Sequence, residues 1–157
     1  MPTVTGGLSG GYSNLVGMDG YDGLAAAVVW MAYYDLKKDL PRLAWLDYDI
    51  QKLERKPLEN LSEAKREAIK SKLRSKNAKL ISVRTMVNNT LKFIGSDWYH
   101  VLCDIDPKAI IERLTKEVDE ENAEKGRKKK ASRKEIARQN EKIHEIIRLG
   151  FQPERDN

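Results

Sequence analysis

The sequence predicts an all-α protein: an irregular bundle of about five to six helices preceded by a flexible, glycine-rich N-terminal arm. Apolar residues recur at steps of three and four in successive segments, and residues that cap helices precede several of these segments. No stretch shows the two-residue alternation of a half-buried strand. Forty per cent of the residues are apolar, enough for a modest core, and 34% are charged, which suits helices with long solvated faces.

Glycine content separates the N-terminal segment from the remainder of the chain. Residues 1–23 hold seven of the ten glycines, and glycine disfavours helix because it is conformationally permissive. We predict four regions: a glycine-rich arm at 1–23, a helical core at 24–121, a basic linker at 122–132, and a C-terminal amphipathic helix and tail at 133–157.

The first core segment predicts two helices separated by a proline. Leu24 to Leu40 carries a continuous apolar stripe, and Pro41 is expected to end that helix because the residue before a proline leaves the helical region. A second helix is expected from Arg42 to Arg55.

The next helix is predicted to be the longest in the chain. Asn60 is the expected N-terminal cap, with Glu63 at the position of a capping box, and Gly95 ends the helix. The apolar positions follow alternating steps of four and three in which Lys76 and Thr90 take the two missing places, a pattern typical of helix-against-helix packing along a narrow seam. The apolar residues are Ile69, Leu73, Leu80, Val83, Val87 and Ile94.

Three shorter elements follow. Ser96 is the expected cap of a short helix over 97–103, and Asp106 with Pro107 predicts the start of the next helix. That helix is expected to give way to a polar linker through the acidic residues 117–121 and Gly126. Ser132 and Glu135 form a full capping box for the last helix, which ends at Gly150.

The segment 90–114 resembles a pattern found in small phage and prophage proteins, in which a Ser-Asp-aromatic turn is followed by a cysteine, an Asp-Pro pair and an amphipathic helix. The matching residues are Phe93, Ile94, Ser96, Asp97, Trp98, Cys103, Asp106, Pro107, Ile110 and Leu114. The resemblance implies a mobile-element origin but no mechanism. It is also consistent with a packing role, in which the Trp and the Cys of the motif are buried.

The residues able to perform chemistry are few. The single cysteine, Cys103, lies in an apolar context, so we expect a buried structural thiol and a reducing environment. His100 lies three residues from both Cys103 and Asp97, but neither a catalytic pocket nor a metal-ligand set follows from that spacing. We predict a protein that is not an enzyme and uses neither metal nor cofactor.

The strongest functional signal is a basic segment near the carboxyl end. Residues 125–138 hold eight basic residues against one acid, and such density attracts a polyanion. The predicted binding residues are Lys125, Arg127, Lys128, Lys129, Lys130, Arg133, Lys134 and Arg138. The helix expected after Asn60 supplies a secondary basic face through Lys65, Arg66, Lys72 and Lys76. The alternative is that residues 101–124, with eight acids and three bases, neutralise the basic segment.

These features favour a phage or mobile-element accessory protein that binds nucleic acid or a nucleic-acid-binding protein complex. Two alternatives stay open: a protein-targeting inhibitor of a host defence system, for example an anti-CRISPR, and a structural or assembly protein. A homodimer is compatible with each of them. The longest uncharged apolar run, 24–34, is too short to cross a bilayer, so we expect no membrane partner and a cytoplasmic location in the host cell.

Overall fold

The computed structural model describes residues 20–153, with side chains from residue 23 onward. This part of the chain forms five helices and no strand, which confirms the all-α prediction. The helices are α1 (Gly20–Glu54), α2 (Glu63–Ile94), α3 (Asp97–Leu102), α4 (Pro107–Lys128) and α5 (Arg133–Gly150). Most of the glycine-rich arm, residues 1–19, and the tail residues 154–157 lie outside the described residues.

Helix α1 is continuous through Pro41, so the predicted division into two helices was wrong. A proline inside a helix removes one backbone hydrogen bond and costs about 3 kcal/mol. Leu36, Leu40 and Leu43 lie on both sides of Pro41 and are almost completely buried on one stripe. Their burial stabilises the helix by about 1.5–3 kcal/mol for each side chain, which outweighs the local cost of the proline.

The core is built around α1, which packs against each of the other four helices. Trp30, Tyr33 and Trp45 are its largest buried side chains. Trp30 stacks on Tyr34 with ring centroids 5.2 Å apart, and Tyr33 meets Trp30 edge to face. The aromatic side chains therefore fix α1 at the centre of the bundle.

Helix α2 begins two residues later than its predicted cap implied. Ser62, not Asn60, is the N-cap, and its hydroxyl accepts a hydrogen bond from the Lys65 amide at 3.4 Å. All the buried residues of α2 lie between Leu80 and Ile94. The first half of the helix, like the end of α1 after Ile50, contributes no fully buried side chain.

The short helix α3 exposes the tryptophan that was expected to be buried. Trp98 was expected to be buried but is 70% exposed, whereas Tyr99 is fully buried. Tyr99 and Cys103 are four residues apart and face the core, while Trp98 and Val101 face solvent. The predicted burial of Cys103 is confirmed.

Helix α4 starts at the predicted place but ends much later. Asp106 accepts a hydrogen bond from the Lys108 amide at 3.0 Å, as expected for an N-cap. The helix then continues to Lys128, so the basic linker predicted for 122–132 is helical over most of its length. Asn122 and Gly126 are buried in α4, and the connection to α5 is a tight turn that ends at Ser132.

The cap of α5 is confirmed in part. The Ser132 hydroxyl accepts from the Glu135 amide at 3.1 Å. The Glu135 carboxylate, expected to complete the capping box, accepts from Gln139 at 2.8 Å and from Arg138 at 3.3 Å. Ile143 and Ile147 form the buried stripe of the helix.

A charged cluster joins α4 to α1. The Glu117 carboxylate accepts a hydrogen bond from Arg113 Nε at 2.8 Å and lies 3.2 Å from Lys37 Nζ. Burial acts to raise the pKa of Glu117, but its interactions with these cations outweigh burial and hold the pKa below the ordinary value of 4.5. The ionised carboxylate therefore stabilises the contact between the two helices.

This cluster predicts acid-sensitive stability. A depressed carboxyl pKa contributes stability that is present above the ordinary value of 4.5 and is lost as the pH falls through the lower value in the folded protein. We expect Glu117→Gln to reduce the free energy of unfolding at pH 7 by about 1–2 kcal/mol. Urea denaturation between neutral pH and strongly acidic pH should show the difference from the unsubstituted protein shrinking. Glu112→Gln, at an exposed position of α4, is the control; an equal loss in both variants would contradict the prediction.

A second prediction tests whether Gly126 belongs to a linker or to a packed helix. A Cβ atom at Gly126 would overlap Ile136 Cγ1 and lie 3.1 Å from Trp45 Cζ2. Overpacking costs about 1–3 kcal/mol. Alanine has a higher helix propensity than glycine, which offsets about 1 kcal/mol of that cost. We expect Gly126→Ala to be destabilising by about 1 kcal/mol net, measured by chemical denaturation.

The accompanying control is Ile136→Ala, which removes the nearest contact. The double variant should be more stable than the sum of the two single losses implies, because the truncated side chain leaves room for the new methyl group. A neutral or stabilising Gly126→Ala substitution would instead indicate a linker.

Candidate nucleic-acid interface

The eight cations of the basic segment do not form one uniform surface. Lys125, Arg127 and Lys128 lie in the last turn of α4, where positive charge complements the helix dipole. Folding alone therefore explains part of the basic character of this segment.

Four of the eight residues are engaged within the protein. Arg127 pairs with Glu124 at 2.6 Å and Arg138 with Glu135 at 3.3 Å, both within one helix. Lys129 Nζ contacts both carboxylate oxygens of Asp49, at 3.0 and 3.2 Å. Lys125 is half-buried, and burial lowers its pKa. The first two pairs are exposed and are worth little, so a phosphate can compete for their arginines.

The other four cations form the accessible part of the segment. They are Lys128, Lys130, Arg133 and Lys134, all exposed. Within residues 20–153, none of them makes an ion pair with a carboxylate. The predicted neutralisation by the protein's own acids is thus incomplete: the pairs take up only part of the segment and leave these four side chains in solvent.

The turn that carries them has a defined backbone geometry. The Lys130 amide donates to the Arg127 carbonyl at 3.0 Å and the Ala131 amide to the Gly126 carbonyl at 2.9 Å. This pair of bonds is a Schellman motif, which satisfies the last carbonyls of α4. Lys130 occupies the left-handed position with a φ of 57°, where glycine is the usual residue. The lysine is therefore held in a conformation that costs about 1 kcal/mol.

The cations after the turn are also at electrostatically unfavourable positions. Arg133 and Lys134 are the first two residues of α5, where the helix dipole favours negative charge. The exposed backbone amides of this helix start attract an anion, and so do the two side chains. The turn thus combines three cations, at 130, 133 and 134, that local folding preferences disfavour.

Asp49 connects the basic segment to the secondary basic face. Its Oδ2 atom lies 3.0 Å from Lys129 Nζ and 3.7 Å from Lys76 Nζ of α2. Two lysines on one carboxylate leave a local excess of positive charge. The structure therefore brings together two surfaces that the sequence separates by about fifty residues.

The secondary basic face consists partly of residues other than those predicted. Lys72 and Lys76 line a shallow groove of about 230 Å³ together with Lys52, in the last turn of α1, and Lys56, just beyond that helix. Arg66 instead donates to the carbonyls of Leu58 and Glu59, at 2.8 and 3.0 Å, and holds the α1–α2 connection. Lys65 is exposed but does not line the groove.

The sequence prediction missed Lys52 and Lys56. A partial signal was present, because Lys72 and Lys76 are four residues apart and therefore fall on one face of a helix. Lys52 lies in the last turn of α1 and Lys56 two residues beyond its end, and the short connection to α2 places both beside that face.

The single cysteine is shielded from solvent. Cys103 is 2% exposed, and burial raises the pKa of its thiol. Within residues 20–153, no three His, Cys, Asp or Glu side chains lie where they could hold a metal ion together. None of the described helices is both long and apolar enough to span a bilayer.

Comparisons with known proteins leave the family open: no protein-family model, no curated protein and no solved structure matches this chain. The resemblance of residues 90–114 to phage and prophage proteins therefore stays a prediction.

The Schellman turn generates a prediction about Lys130. Lys130→Gly should increase the free energy of unfolding by about 0.5–1 kcal/mol, because glycine adopts the left-handed conformation without a Cβ clash. The same replacement at Lys116, exposed in the middle of α4, should be destabilising by about 1 kcal/mol. Thermal or urea denaturation of both variants measures the effect. A destabilised Lys130→Gly variant would contradict the turn geometry.

Proposed function

We propose that this protein is a non-enzymatic accessory protein of a phage or mobile element that binds nucleic acid, alone or within a nucleoprotein. The α4–α5 turn would contact phosphate groups through Lys128, Lys130, Arg133 and Lys134. Lys129, Lys76 and the lysine-lined groove would extend the positive surface along α2.

One observation carries the proposal: three of these cations occupy positions where they oppose local folding preferences. Lys130 replaces the glycine expected at a left-handed position, and Arg133 and Lys134 oppose the dipole of α5. Departures from local preference without a compensating contact are expected at functional sites. Favourable contacts with a bound polyanion would offset the free-energy cost of placing these three cations at disfavoured positions.

The geometry favours phosphate contact over base recognition. The cations surround a tight turn and a helix start, which suit a phosphate group, whereas the outer face of α5 also carries Glu141 and Glu145. These acids would repel the backbone of a duplex if α5 lay deep in its groove along its whole length. We therefore expect binding with little sequence preference and with strong salt dependence.

The experiment replaces the four accessible cations, with Lys128→Ala, Lys130→Ala, Arg133→Ala and Lys134→Ala in one variant. Fluorescence anisotropy with a short labelled DNA duplex, and with an RNA of matching sequence, measures the affinity at several salt concentrations. We expect at least about tenfold weaker binding at low salt. For the duplex, the slope of log K against log salt should become shallower by about 0.9 for each phosphate that the variant no longer neutralises.

A matched control removes the same charge elsewhere. Lys38, Arg74, Lys79 and Lys116 are exposed and comprise three lysines and one arginine, as does the test set. Their joint replacement by alanine should have a much smaller effect on affinity and slope. An equal loss of affinity in the two variants would show that binding depends only on the net charge of the protein. Unchanged affinity of the test variant would refute the proposal.

A further inference from the structure

A second groove on the described surface contains none of the residues of the basic segment. Helices α2 and α5 form its walls and α1 its floor, around a cavity of about 510 Å³. Its apolar lining is aliphatic: Leu43, Ala44, Leu80, Ile146 and Leu149. Leu149 is 62% exposed at the rim, so a large apolar side chain is left in solvent beside an apolar cavity.

The rim of this groove is positively charged. Arg84, Lys92 and Lys142 line it. Asp47 is the one carboxylate that residues 20–153 contribute to the lining, and it accepts a hydrogen bond from Lys142 at 3.1 Å. Arg84 and Lys92 are exposed and form no ion pair with another residue of 20–153. A complementary ligand would therefore carry negative charge beside an apolar surface.

The spacing of the charges distinguishes between ligands. Arg84 and Lys92 are eight residues apart on one helix, which corresponds to about 12 Å along its axis. A single carboxylate or phosphate cannot contact both side chains while filling the cavity between them. Acidic residues seven or eight positions apart on a helix that lies along α2 would match that distance.

The uncharged lining favours a helix over an extended segment. Besides the charged residues, the described part of the chain gives the groove two polar side chains, Asn88 and Gln152. The Gln152 amide already donates to the Arg148 carbonyl at 3.1 Å. An extended peptide would leave most of its buried amides and carbonyls without partners, whereas a helix satisfies them internally.

We propose that this groove binds an amphipathic helix of a partner protein, with aliphatic side chains on its inner face and acidic residues about seven or eight positions apart along its edge. The site is separate from the proposed polyanion surface. A second copy of this chain is a poorer match, because the exposed apolar row of α1, Leu24 to Met31, is followed by both Asp35 and Lys38.

A designed peptide tests the proposal directly. The probe is a fluorescein-labelled, alanine-based helix with leucines on one face and glutamates about eight residues apart beside them. A second peptide replaces the glutamates with lysines. Fluorescence anisotropy should show binding of the acidic peptide only. Leu149→Asn, or Arg84→Glu with Lys92→Glu, should weaken that binding by about tenfold.

Met86→Asn is the matched control, since Met86 is also exposed on α2 but does not line the groove; it should leave peptide affinity unchanged. The Leu149→Asn variant should keep its affinity for DNA, so failure here is separable from failure of the proposed function. Equal binding of both peptides, or binding insensitive to Leu149→Asn, would overturn the inference. So would sedimentation showing a dimer that Leu149→Asn dissociates, because the groove would then belong to a second copy.

Discussion

Burial of α1 is the constraint on which the remainder of the structure depends. This helix contacts every other helix of the described chain, and its apolar surface is extensive enough to keep it continuous through Pro41. Because α1 is fixed, so are the carboxylates of its last turns. Asp49 holds Lys76 and Lys129, and Asp47 holds Lys142. The apolar core therefore determines where the charged surface lies.

The α4–α5 turn shows how stability and recognition compete within a few residues. The Schellman bonds and the Ser132 cap satisfy the backbone on both sides and make the turn rigid. Lys130, Arg133 and Lys134 are fixed to this ordered backbone, at positions where the local structure disfavours positive charge or an L-residue. Because the backbone of the turn is already ordered, binding an anion there costs little backbone conformational entropy, so the geometry is suited to binding even though it is costly in the free protein.

The sequence predicted some of the features that depend on neighbouring residues, although it placed the cap of α2 at Asn60 instead of Ser62. The caps at Asp106 and Ser132 involve side chains two or three positions from their partners, and both are present. Pro41 was misjudged because packing from distant helices overrides a local preference. Trp98 was misjudged because residue size does not indicate which of two adjacent aromatics faces the core. The pairing of Asp49 with Lys129 spans 80 residues, so no local pattern in the sequence could reveal that part of the site.

The hairpin of α1 and α2 extends beyond the helices that support it. From residue 51 to residue 79 no side chain is fully buried, so opening this end should require less free energy than unfolding the whole bundle. Amide hydrogens there would exchange ahead of those in the core. Lys52, Lys56 and Lys72 therefore lie on the part of the hairpin that opens most easily. Their positions can adjust to a bound surface, whereas the backbone of the α4–α5 turn stays in place.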